Sequence, residues 1–305
     1  MTMQYEIIPG GSGQLLESPV WDNTNNTISW VDIISGTIFK YNPGLGITNA
    51  FQVGQQIGAI AIKRSGGYIA ALQNGFAEID VEMHAVTMIA DPEAGILGNR
   101  FNDGKCDPAG RFWAGTMSSS GEKSRGSLYV LNGDFSIETK IHDVSCSNGM
   151  AWSKDSSTFF YIDSPTQQVA AYNYDIVSGT ISSKRIVIEI PVEDGMPDGM
   201  TIDSEGMLWI ALWGGAKVQR WNPGTGKLVS AISLPCSNIT SCSFGGPTLG
   251  DLYITSARTG LFEEQLKAQP LAGSLFVLKN CGHVGLPAYV YNNSKLSASR
   301  DTGRS

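Results

Sequence analysis

A six-fold recurrence of short apolar strands constrains this chain more than any other feature. Ile28-Ser29-Trp30-Val31-Asp32 is the first; runs of the same kind lie at 68–72, 111–115, 159–163, 208–212 and 251–255. Their spacing is roughly 40 to 50 residues, the period of a propeller blade. Most are followed by a further strand, as at 37–41, 127–131, 169–174, 217–221 and 274–278. Turn formers such as Asn42-Pro43-Gly44 and Asn222-Pro223-Gly224 close these units. Helical periodicity is missing throughout. A β-sandwich or a pair of barrels also yields many short strands, but neither requires regular spacing over nearly the whole length. The expectation is therefore an all-β fold, a six-bladed β-propeller forming one domain over 1–292. The polar, aperiodic end, 293–305, is expected to be a disordered tail.

Composition agrees. Thirty-six glycines and only 16% charged residues fit tight turns and buried strand, and 305 residues bury a core without disulfide staples. The five cysteines (106, 146, 236, 242 and 281) are odd in number, scattered and without a CxxC pair. That pattern argues against a disulfide framework and a thiolate zinc site, and favours a reducing compartment. No basic-then-apolar leader opens the chain and no apolar run reaches membrane-spanning length. A net charge of −7 without a basic cluster argues against nucleic acid. The expected protein is cytoplasmic and monomeric, with no nucleic-acid or membrane partner.

Aligning the first strand of each unit is more revealing. Glu17-Ser18-Pro19-Val20-Trp21-Asp22 superposes without gaps on 102–107, 148–153 and 198–203, and 58–63 and 240–245 complete the set. The first column reads Glu17, Gly58, Asn102, Asn148, Asp198, Thr240. Since the first strand of a blade lines the channel, this column converges on the axis at one mouth. One such Asn or Asp is ordinarily a strand cap or turn residue. Two carboxylates and two carboxamides at one register are different, because buried carboxylates repel and are costly to desolvate without a cation. All-oxygen ligands suit Ca²⁺, Mg²⁺ or Mn²⁺; Zn²⁺ also accepts oxygen but more often takes His or Cys.

Other chemistries find no support. His84, His142 and His283 are isolated and outside this register, leaving no HExxH pair and no nucleophile–His–acid set. Ser118-Ser119-Ser120-Gly121 is a flexible loop and not a nucleophile elbow, and the Gly-Gly pairs at 214–215 and 245–246 lack the helix of a phosphate loop.

Glu17-Ser18-Pro19-Val20-Trp21, Arg100-Phe101-Asn102-Asp103-Gly104-Lys105, Asp107-Pro108-Ala109-Gly110-Arg111, Ser147-Asn148-Gly149-Met150 and Pro197-Asp198-Gly199-Met200 together resemble the regucalcin family. This is the group of senescence marker protein, gluconolactonase and luciferin-regenerating enzyme. The resemblance implies a six-bladed propeller with one divalent cation in its channel and hydrolysis of sugar lactones. It implies Glu17, Asn148 and Asp198 as metal ligands, Asp198 also as general base, and Arg100 and Asn102 as substrate contacts. The loop between Met117 and Gly126 is shorter than in the animal regucalcins. Where those carry an acidic substrate contact, this chain has Ser120, with Glu122 two positions on. Three functions stay open at this point: a sugar lactonase, a non-catalytic calcium-binding regulator, and a hydrolase of another lactone or ester of organophosphate or luciferin-precursor type.

Overall fold

The structure is a computed structural model that describes residues 5–293. Six four-stranded antiparallel sheets stand around a central channel, blades one to five in chain order. Blade six is built from Ile239–Gly245, Asp251–Ser256, Phe276–Leu278 and, outermost, the N-terminal strand Glu6–Ile7. Glu6 pairs with Val277 and Ile7 with Phe276. The first described strand therefore closes the ring against the last and completes the fourth strand of blade six. The six-bladed expectation holds; the donation of a strand from the opposite end of the chain is what the repeat pattern did not reveal. Of the expected tail, all but Asn293 lies outside the described residues.

Each apolar triplet is the second strand of its blade, wedged between neighbours. Trp30, Trp113, Trp209 and Tyr253 are all fully buried there. Trp113 meets Trp152 and Phe159 of the next blade at centroid distances of 5.8 and 5.0 Å, the tilted packing aromatic quadrupoles favour. The five cysteines are free. Among the described residues no helix is long and apolar enough to cross a membrane.

The inner strands are Leu16–Asp22, Ile57–Ile62, Asn99–Cys106, Ser147–Trp152, Met196–Ile202 and Ile239–Gly245. Every one is bulged at the same level. The register breaks fall between Glu17 and Val20, Ile57 and Ala59, Phe101 and Asp103, Asn148 and Met150, Pro197 and Met200, and Ile239 and Ser241. A bulge leaves its residue unpaired and re-aims the side chain. The column found in the sequence thus lies along a ring of bulges: Gly58, Asn102, Asp198 and Thr240 are themselves unpaired, whereas Glu17 and Asn148 are the last paired residues before the break. Close approach explains the small residue that follows: a Cβ on Gly149 would lie 2.6 Å from the Asp198 carbonyl oxygen.

The opposite end of the channel is covered by the C-terminal segment. It bridges to blade five at Asp203–Gly285 and to blade two at Lys63–Tyr291. Leu286, Pro287, Ala288 and Tyr289 floor a cavity of about 70 Å³ inside the channel.

Candidate metal centre

Glu17, Asn102, Asn148 and Asp198 are all buried at the bulged level, only 3 to 7% exposed. Glu17 accepts one backbone hydrogen bond, Ser18 N–H to Oε2 at 2.8 Å. Burial pushes its carboxyl well above the usual range, and the negative charges of Asp198 and Asp103 push it further. Asp198 is raised in the same direction, first by burial and then by Asp103. Asn148 donates Nδ2–H to Ser164 Oγ at 3.0 Å, and its carbonyl oxygen Oδ1 is buried without a partner. Ser164 opens the 3₁₀ turn Ser164–Thr166 and is itself buried.

Two buried carboxylates that burial disfavours, and an orphaned amide oxygen beside them, fit a hard dication. Among the described residues no three His, Cys, Asp or Glu side chains converge as a metal group. The candidate set reaches three ligands only by way of the Asn148 amide.

Asn102 and Arg100 form a second layer at this mouth. Asn102 donates Nδ2–H to the Ser147 carbonyl at 2.8 Å, and Arg100 Nη1 donates to Asn102 Oδ1 at 2.8 Å and to the Phe101 carbonyl at 2.9 Å. The nearby carboxylate Asp103 turns instead to its own backbone, Oδ1 accepting the Gly104 N–H at 2.7 Å. Ser120 and Glu122 sit apart from this layer. Their hydrogen bonds run to Ser118, to each other and to Arg125, and Glu122 is an exposed partner of Arg125 at 3.1 Å.

Several residues of the site escaped the sequence reading. Cys146 places Sγ 3.9 Å from the side-chain nitrogens of Asn102 and Asn148 and donates to Met117 Sδ at 3.6 Å. Burial, and after it the negative charge of Asp198, pushes its thiol up to about 12. Asp103 and Lys105 project into the channel below, where Lys105 Nζ donates to the Met200 carbonyl at 2.6 Å. The signal for them was present. The second and fourth columns of the inner-strand alignment are small or mid-sized in the other five blades, which leaves room for one charged pair.

Residues 15–258 match the family model described as "SMP-30/Gluconolactonase/LRE-like region". The chain belongs to this family. Regucalcin of Gallus gallus is 39% identical over 295 residues, covering 95% of this chain and 99% of the relative. Among solved structures, a calcium-binding protein, regucalcin, from Agrobacterium tumefaciens superposes with a TM-score of 0.90 at 25% identity, covering 95% of this chain and 98% of that one. A luciferin-regenerating enzyme superposes at 0.88 and 29% identity, covering 94% and 99%. Family membership thus rests on most of the length, including the strands bearing Glu17, Asn148 and Asp198.

Proposed function

We propose that the chain is a metal-dependent lactonase that opens sugar lactones, an aldonolactone giving its aldonic acid. One observation carries this reading: Glu17, Asp198 and the unpartnered Asn148 Oδ1 are buried together at one mouth of the channel, in a family whose description includes gluconolactonase.

Glu17, Asn148 and Asp198 would hold one divalent cation, Ca²⁺, Mg²⁺, Mn²⁺ or Zn²⁺, which supplies Lewis acidity toward the lactone carbonyl. Asp198 accepts a proton from the attacking water on its carboxylate. The water oxygen bonds to the acyl carbon, the ring C–O bond breaks, and the proton returns from Asp198 to the departing ring oxygen. Asn102 and Arg100 orient ring hydroxyls, the guanidinium as donor and the amide as donor and acceptor. Ser120 and Glu122 lie on the adjoining loop, from which they would meet the far side of a bound sugar.

A second reading uses the same three ligands without turnover, as a calcium-binding protein. The description of the Agrobacterium relative favours it. Hydrolysis of glucono-δ-lactone above its spontaneous rate, measured with each of the four cations, separates the two. Stimulation by at least one cation supports the lactonase; the spontaneous rate with all four supports the second reading.

A further inference from the structure

Beside the candidate metal centre lies an open pocket of about 550 Å³ on the same face. Its walls come from three connections that flank the ligand strands. Pro165 and Gln167 follow Ser164, the residue that holds Asn148. Val192 and Met196 lead into the strand of Asp198, with Met196 two residues before it. Trp213 pairs with Met196 across the sheet, and its ring comes against Gly260 of blade six, where a Cβ would lie 3.2 Å from Cζ2. Two wall residues thus adjoin the candidate centre along the chain: Pro165 follows the Ser164 that holds Asn148, and Met196 shares a strand with Asp198.

Its character differs from the rest of the mouth. Blade three presents the polar Arg100 and Asn102, whereas this arc presents Trp213, Met196, Val192 and Pro165, with Glu193 as the charged member of its lining. Val192 is 76% exposed and Met196 is 37% exposed. Large apolar side chains left uncovered beside a polar centre mark a place where ligand surface is buried. Gln167 adds a polar point: it is held at φ +59°, its Nε2 donates to the Gly195 carbonyl at 3.3 Å, and its Oε1 is buried without a partner. A fully hydroxylated lactone gains nothing from the apolar wall.

We propose that this pocket binds an apolar substituent, an alkyl chain or aromatic ring, carried by a lactone whose carbonyl sits at Glu17, Asn148 and Asp198. The inference rests on the lactonase reading and extends it: the favoured substrates pair a polar ring with an apolar appendage.

The test is a series of δ-valerolactone, δ-octanolactone and δ-decanolactone with the metal-loaded protein. kcat/KM rises roughly twofold per added methylene, the effect of half burial in an open groove, or roughly thirtyfold across the series. In Val192→Asp and Met196→Ser the ratio of δ-decanolactone to δ-valerolactone falls at least fivefold. Val192 is exposed, so its variant folds even if Met196→Ser does not. A flat or falling series in the wild type, or an unchanged ratio in the folded variants, overturns the proposal. Should the protein hydrolyse no lactone, the lactonase reading fails, and calorimetry with the unreactive δ-valerolactam and its δ-pentyl derivative decides the pocket. Tighter binding of the pentyl compound, by tenfold or more, supports it; equal affinity overturns it.

Discussion

Asn148 gives its amide hydrogen to Ser164 Oγ at 3.0 Å, and that bond fixes which end of the amide is left as a buried acceptor. Ser164 therefore orients a candidate ligand without being one. Residues in that position commonly change metal affinity by 10- to 100-fold. Ser164→Ala is expected to weaken Ca²⁺ and Mn²⁺ binding about tenfold, measured by calorimetry, with the fold kept. Equal affinity in the variant would mean that Asn148 is oriented by something else.

Removal of the carboxylate or the amide is a harsher change. Asp198→Ala is expected to reduce glucono-δ-lactone turnover by about 10² or more, the range of a lost acid–base group, and Asn148→Ala to reduce it through weakened metal binding. Their thermal unfolding stays cooperative, because each side chain is small and its loss relieves repulsion or an unsatisfied group. Full activity of metal-stripped Asp198→Ala protein would sink the mechanism.

The raised carboxyls Glu17, Asp103 and Asp198 also set a pH dependence. A carboxyl raised in the folded state contributes its stability below its unfolded value, about 4, and loses it as pH climbs toward the folded value. Glu17, Asp103 and Asp198 therefore make the metal-free protein less stable as pH rises above about 4. Glu138 and Asp194 are lowered by their lysine partners and act with the opposite sign. The clean measurement is thus a difference. Tm of Glu17→Gln minus Tm of wild type, without metal, is expected to grow from pH 4 to pH 8. Saturating Ca²⁺ reverses the order, since the ion favours the ionised pair. A difference that stays constant with pH would show that Glu17 is ionised in the metal-free fold.

Much of this site was legible in the sequence because a propeller repeats its register. Glu17, Asn102, Asn148 and Asp198 share one column, and the structure brings all four to one level of buried strand. What the column could not convey was the bulge at or just after each member, since a register break depends on the partner strand. Ser164 and Cys146 were illegible for a related reason: they sit in connections between strands, where spacing varies from blade to blade. The closing strand Glu6–Ile7 has two residues, too few to show a period. Ser120 and Glu122 were assigned by analogy to a loop of different length, and the structure has them bonded within that loop.

Far from the metal face, Asp107 anchors blade three. It is fully buried and accepts five hydrogen bonds, from Ala109 N, Arg111 N, Arg111 Nε, Trp113 Nε1 and Tyr174 OH at 2.6 to 2.9 Å. Asp203 repeats the pattern in blade five with Trp209 Nε1 and Arg220 Nε. Replacing Asp107 with Ala leaves the Arg111 guanidinium without its counter-ion and the Trp113 indole N–H without an acceptor. Breaking a buried pair from one side costs about 3–5 kcal/mol, so urea unfolding of Asp107→Ala should show a loss of that order. Adding Arg111→Met to the same protein should recover part of the loss, because the stranded charge is then gone. A double variant as unstable as the sum of the two singles would mean that the turn's backbone contacts, and not the ion pair, make Asp107 important.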